Sequence, residues 1–277
     1  MKLFYWVLIT ALVAIILGAC ADKSKSPRIL VLYYSQTSNT RTVAQEIAKS
    51  LNADIEEVIP VNPYDGDYQQ TIQRAGQERE TGNLPAIKPI KSKIAKYDII
   101  FLGYPIWYGT YAMPIATLLN QINLNGKKVV PFCTFGSGGL VSSRDDIVAR
   151  FPNADVHTGY GVRAARMDAV PNEVDYFLKS NGFKPGQFAQ LPDFSTPHPA
   201  DEAESAIFDA AVGDYPMISA KAESASSRPL PNGTEYLFTA IDKPREGGPQ
   251  MPPSNNKIYV FVLVENGKAP VFTQVVR

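Results

Sequence analysis

At 277 residues the chain has room for one sizeable domain and a smaller second one. Its 45% hydrophobic and 19% charged residues are ordinary for a globular protein, and zero formal net charge without a dense Lys/Arg cluster argues against nucleic acid as a partner. Two cysteines, Cys20 and Cys133, and two histidines, His157 and His198, are too few and too widely spaced for a disulfide framework or a Cys/His metal site.

The first twenty residues differ from the rest. Lys2 precedes an uncharged, predominantly apolar stretch, Leu3 to Ala19, that ends in Leu17-Gly18-Ala19-Cys20. Spanning a bilayer takes about 20 apolar residues. This segment is slightly short and has the charged start, apolar middle and small-residue end of a signal peptide. Its LGAC ending resembles the lipobox of bacterial lipoproteins, which implies lipidation of Cys20 and export to the cell envelope on a lipid anchor. A plain signal peptide or an uncleaved anchor is the alternative. There is no twin arginine, so export of the unfolded chain is the default. Residues 21–28 then form a short polar tether.

From Arg28 onward strands and helices alternate. Ile29 to Tyr33 is a continuous apolar strand, and Val43, Ala44, Ile47, Ala48 and Leu51 recur with helical period. Ile55 to Ile59 reads as a weaker strand. Tyr68, Ile72 and Ala75 mark a helix that starts near Asp65 or Asp67. Ile99 to Leu102 is again wholly apolar, as in a strand covered on both faces. Pro114 opens a helix bearing Ile115, Leu118, Leu119 and Ile122 and ended by Asn125-Gly126. A strand from Val129 to Cys133 follows. Ser142 with Asp145 resembles a capping box for a helix reaching Phe151. A strand over Val156 to Tyr160 and a helix from Pro171 to Ser180 complete five strand–helix pairs, the pattern of a parallel sheet with helices on both faces.

Composition changes after Phe183: eleven of the 22 prolines lie between Lys184 and Lys257. Residues 184–200 read as a linker and residues 201–277 as a small α+β module. In the module, Ala203 to Ala211 is helical, Glu235 to Ile241 alternates as a strand, and two strands flank Asn266-Gly267, a strong hairpin signal. The module resembles cystatin-like folds, with NGTEYLF similar to their G-T-x-Y turn. The Q-x-V-x-G inhibitory loop is absent, with Pro229-Leu230-Pro231-Asn232 in its place, so protease inhibition is not expected.

Ligands of open α/β sheets sit beyond the carboxyl ends of the strands, where strand order reverses. With order 2-1-3-4-5, that crevice is formed by SQTSNT (residues 35–40), YPIWYGTYAMP (residues 104–114) and CTFGSGGL (residues 133–140). Six small uncharged residues between a strand and a helix are either a simple cap or a cradle for a phosphate. Here the chain resembles the flavodoxin-like family, over roughly Ile29 to Phe183. SQTSNT is similar to the family's T/S-x-T-G-x-T phosphate loop, and GYPIWYG and PFCTFGSGG to the loops flanking the flavin. The resemblance implies a doubly wound, five-stranded parallel α/β sheet in residues 29–183 and non-covalent FMN binding.

It also implies the contacts. Ser35, Gln36, Thr37, Ser38, Asn39 and Thr40 would meet the phosphate at a helix N-terminus, where hydroxyls and backbone N–H groups suffice without a cation. Pro105, Ile106, Trp107, Tyr108 and Gly109 would lie at the ring, with Trp107 as a stacking face. Thr134, Phe135, Gly136, Gly138 and Gly139 would close the other side, the glycines letting backbone amides approach the ring.

Cys133 reads as a small buried residue with no base beside it and His157 as an unpaired strand residue. No GxGxxG follows a strand, so a nicotinamide domain is not indicated.

Two departures from the family stand out. Ser38 occupies the place of a Gly, which suggests a backbone position with positive φ or a close approach of main chain to phosphate. Residues 29–183 carry 15 basic and 15 acidic residues, whereas familiar flavodoxins are strongly acidic. The expected activity is electron transfer outside the cytoplasm with an unidentified redox partner. An FMN-dependent quinone-type reductase and a flavin-free scaffold on the same fold are the alternatives. Metabolic labelling with a fatty acid tests the anchor: the native chain should take up label, and Cys20→Ser should take up none. Label-free mature protein with an unmodified Cys20 would disprove it.

Overall fold

The computed structural model describes residues 26–213, 215–243 and 257–277. The apolar leader and Cys20 lie outside the described residues. Strand β1 (Ile29–Tyr33) is apolar throughout because both of its faces are covered. Leu30 and Leu32 enter one core, and Val31 and Tyr33 enter another on the opposite side.

Helix α1 (Asn39–Leu51) buries Val43, Ala44, Ile47 and Ala48 in the second core and stops at Asn52, whose φ of 48° is left-handed. Strand β2 (Asp54–Glu57) pairs with β1. Helix α2 (Tyr68–Thr81) begins with a capping box: Asp67 accepts from the Gln70 N–H at 2.8 Å, and Gln70 accepts from the Asp67 N–H at 3.0 Å.

Strand β3 (Ile99–Trp107) runs five residues beyond its apolar core and turns back as β4 (Thr110–Tyr111). Helix α3 (Met113–Gln121), strand β5 (Lys128–Phe135), helix α4 (Leu140–Arg150), strands β6 (Asp155–Val156) and β7 (Tyr160–Arg163), and helix α5 (Val170–Ser180) complete the first layer set.

The sheet order is β2-β1-β3-β5, all parallel, with β6 and β7 both on the outer edge of β5. This is the flavodoxin-like α/β arrangement with order 2-1-3-4-5. The fifth strand is split, however. Pairing runs Val129↔Val156, then resumes at Phe132↔Tyr160. The gap falls opposite Pro131, which has no N–H to give a ladder.

His157 therefore sits in a loop rather than a strand, and it is paired. Its Nδ1 accepts from the Gly159 N–H at 3.1 Å and its ring lies edge-on to Phe177 and Phe183. Helix α4 also departs from expectation. It starts at Leu140 behind Gly139 (φ 119°), and Ser142 is no cap but donates to the Gly109 carbonyl at 2.5 Å.

The C-terminal module has its own core and its own antiparallel sheet. Strand β8 (His198–Pro199), helix α6 (Glu202–Val212) and strands β9 (Ala220–Leu230), β10 (Gly233–Asp242), β11 (Lys257–Glu265) and β12 (Val271–Val276) assemble in the order β12-β11-β10-β9-β8. Phe208 and Val212 of α6 pack on Phe238, Val260 and Phe272. The strand β8 falls within the expected linker, where His198↔Ala225 and Pro199↔Ser224 pair it to the module's edge. Strand β9, AKAESASSRPL, is small and polar and shows no alternation, so only the partner strand β10 reveals it.

In the central sheet a Cβ at Gly103 would lie 2.1 Å from the ring of fully buried Phe132. Overpacking of a dense core typically costs 1–3 kcal/mol. Gly103→Ala should lower unfolding stability by about 2 kcal/mol in a urea titration, and an unchanged midpoint would contradict this packing.

Candidate functional site

The chain leaves β1, β3 and β5 on the same side of the sheet, so the three singled-out loops meet there. A buried hydrogen bond of 2.8 Å between Thr40 Oγ1 and Thr134 Oγ1 ties the first loop to the third. The Ile106 side chain lies against Gly139, where a Cβ would come within 2.5 Å, so the second and third loops touch. Ser142 on Gly109 and Thr110 on Asp146 (2.7 Å) hold the second loop to α4.

The first loop is built around a left-handed residue. Ser38 has φ 70° and ψ −9°, as the glycine of a similar loop would, and it is the N-cap of α1 without giving a side-chain cap. Among the described residues, the first N–H groups of α1 thus receive no side-chain cap. In the same loop, Ser35 is 8% exposed and its Oγ has no hydrogen-bond partner among the described residues. A buried hydroxyl without a partner costs on the order of 1–3 kcal/mol. The loop therefore presents a donor set in search of an acceptor.

The other members of the loop divide into two groups. Thr37 is exposed and Asn39 half-buried, and among the described residues neither side chain is engaged in a hydrogen bond. Thr40 and Gln36 are already committed. Gln36 Nε2 donates to the Tyr64 carbonyl at 3.1 Å and to Thr71 Oγ1 at 2.8 Å, anchoring the segment before α2.

One residue was missed from the sequence. Arg41 Nη1 donates to Ser38 Oγ at 3.1 Å, and its Nη2 contacts Glu57 at 2.8 Å and 3.1 Å. A cation in the first helical turn opposes the helix dipole, and that was the signal which could have found it.

The second loop is a tight hairpin turn. Tyr108 (φ 50°) and Gly109 (φ 80°) take the two positive-φ positions between paired Trp107 and Thr110. Tyr108 is exposed and reaches across to donate to the Ile72 carbonyl at 2.7 Å. Gly76 leaves room for it on α2, since a Cβ there would lie 2.8 Å from the Tyr108 hydroxyl. Trp107 is 7% exposed, edge-on to Tyr64 at 4.9 Å and to Tyr34 at 5.8 Å. Its indole is packed in an aromatic cluster and presents no open face. Arg74 stacks on Tyr64 at 3.9 Å and bonds Glu78, Pro63 and Asn62, which clamps that cluster. Pro105 and Ile106 are half-buried beside it.

The third loop is occupied from an unexpected quarter. The ring of Phe135 is buried against Gly161. A Cβ at Gly136 would meet the Tyr215 hydroxyl at 2.7 Å, and one at Gly138 would meet the Val275 carbonyl at 2.0 Å. Those glycines make room for the C-terminal module. Cys133 is fully buried and burial pushes its thiol well up, so it is no nucleophile. A groove of about 340 Å³ lies between α5 and the module, but its two arginines are each paired with a glutamate at 2.6 Å, Arg166 with Glu173 and Arg228 with Glu235.

A sequence model of the family described as Flavodoxin matches residues 28–175, more than half of the chain. The chain belongs to the flavodoxin family. Solved relatives are similar over the same extent. A candidate flavoprotein from Bacteroides eggerthii is 30% identical, covering 54% of this chain and 96% of its own, with a TM-score of 0.46. A second, from Bacteroides uniformis, is 25% identical over 55% and 99%, with a TM-score of 0.48. A flavoprotein from Lactobacillus acidophilus, solved in complex with FMN, is 24% identical over 54% and 99%, with a TM-score of 0.44. All three match about half of this flavodoxin.

Left-handed backbone costs a non-glycine residue about 1 kcal/mol. Ser38→Gly should therefore hold or raise stability by up to about 1 kcal/mol, offset only by the exposed Arg41 contact. Ser38→Val should lower it by about 1–2 kcal/mol. Thermal melts of the two variants check this, and a glycine variant clearly less stable than native would refute the strained geometry.

Proposed function

We propose that this flavodoxin binds FMN without a covalent bond at the ends of β1, β3 and β5 and transfers electrons in the bacterial cell envelope, anchored by a lipid on Cys20. One observation carries the cofactor reading: the buried, unpartnered Ser35 hydroxyl beside the uncapped N-terminus of α1. The residues present fit a phosphate. Ser35, Thr37 and Asn39 offer side-chain donors, and the α1 amides add backbone donors with the favourable end of the helix dipole. Ser38 Oγ accepts from Arg41, which leaves its own proton to donate. Glu57 holds the Arg41 guanidinium in place and partly neutralises it.

Bound FMN would supply the one- or two-electron redox chemistry, and the chain's part is to place and tune it. Residues 105–109 and 134–139 would border the ring, and none of these positions is His, Asp or Glu. A proton exchanged there would come from water, with the backbone N–H groups serving as hydrogen-bond donors only. Residues 29–183 have as many bases as acids, so net charge does little to steer a redox partner.

A flavin-free scaffold is the rival reading, favoured by the closed Trp107 cluster and the covered glycines of the third loop. Titration of the purified chain with FMN, followed by fluorescence, separates them. The native chain should quench FMN fluorescence, and Ser35→Ala should bind roughly tenfold more weakly, as loss of a charge-assisted hydrogen bond requires. No binding at about 50 µM FMN, a free energy near −6 kcal/mol, would favour the scaffold.

A further inference from the structure

The third cofactor loop is fastened to the C-terminal module by one side chain and one strand. Arg163 ends β7 in register with Phe135, at the point where the loop leaves β5. Its Nε donates to the Gly136 carbonyl at 2.9 Å, and its Nη1 donates to the Phe272 carbonyl of β12 at 2.8 Å. The guanidinium also lies 3.4 Å from the Phe272 ring centroid and 5.4 Å from that of Tyr215. One residue on, the Val275 N–H donates to the Ser137 carbonyl at 2.7 Å. The loop matches the module in shape as well, because any side chain at Gly136 or Gly138 would strike Tyr215 or the Val275 carbonyl.

We infer that Arg163 is a positioning residue that locks the Gly136–Gly139 loop onto the C-terminal module, making that module a fixed wall of the cofactor site. The argument is one of preorganisation. Three glycines in a loop of four residues leave many backbone states open, and binding a ligand to such a loop costs the entropy of ordering it. Two carbonyls held by charge-assisted and backbone hydrogen bonds remove that freedom beforehand. The amides of the same peptide units are then presented in one orientation. A planar guanidinium is required because it reaches two carbonyls and lies on an aromatic face at once, which an ammonium cannot do. The role of the wall rests on the FMN reading, whereas the locking of the loop does not.

The test uses the full chain with Arg163→Met, Arg163→Lys and Val275→Pro. The Val275 N–H points away from β11, so proline at this edge position removes the docking bond while sparing the module's ladder. Circular dichroism serves as the fold control. Without flavin, hydrogen exchange of the Ser137–Gly139 amides should rise about tenfold in Arg163→Met and in Val275→Pro, with Arg163→Lys in between. Unchanged exchange in Arg163→Met would overturn the locking. With FMN, Arg163→Met should bind about tenfold more weakly and shift the midpoint potential of the bound flavin. Native affinity and potential alongside faster exchange would overturn the positioning role. Failure of the native chain to bind FMN would refute the proposed function, and the exchange result would still decide the lock.

Discussion

Burial of a parallel sheet on both faces governs everything else in this protein. A strand such as β1 has no solvent side, so its residues must be apolar at successive positions and its backbone must pair on both edges. Parallel pairing then demands helical crossovers, and their right-handedness places α1 and α5 on one face and α2, α3 and α4 on the other. Where the winding reverses, between β1 and β3, no crossover fills the space beyond the strand ends. The three loops converge there as a consequence of topology.

What fills that space is set by small unsatisfied groups. A left-handed Ser38 turns the chain so sharply that α1 begins without a side-chain cap, and among the described residues the buried Ser35 hydroxyl has nothing to bond. Both features cost free energy in the chain alone. A phosphate would satisfy both at once, which ties the strain of the loop to its use. The aromatic cluster of Tyr34, Tyr64 and Trp107 shows the opposite balance, since it is well packed and clamped by Arg74. The two halves of the crevice thus differ: one is poised for a ligand and the other is closed by its own side chains.

The module at the C-terminus gives this flavodoxin a feature outside the matched region. Its Tyr215 and its edge strand β12 approach so closely that Gly136 and Gly138 of the third loop have no room for a Cβ. In the sequence those glycines look like a response to a flat cofactor. In three dimensions they are at least as much a response to Tyr215 and Val275, which lie far along the chain.

Alternation of apolar runs, the helical spacing of Val43, Ala44, Ile47 and Ala48, and the Asn266-Gly267 turn are local signals, so the sequence alone determined the α/β class, while the sheet order and the place of the crevice came from the resemblance of its three loops to the flavodoxin-like family. The family's Gly at the place of Ser38 implied either a left-handed position or a close approach of backbone to phosphate, and the φ of 70° agrees with the first. Tertiary structure decided what depends on contacts between distant segments. The strand β9 exists because β10 pairs with it, not because AKAESASSRPL favours a strand. The split between β6 and β7 lies opposite Pro131 on a neighbouring strand. Trp107 is sealed by Tyr64, 43 positions before it, and Arg163 reaches Phe272, more than a hundred positions after it. Propensity and periodicity extend over a few residues, whereas a side chain's partners are chosen by packing among elements that meet only once the chain has folded.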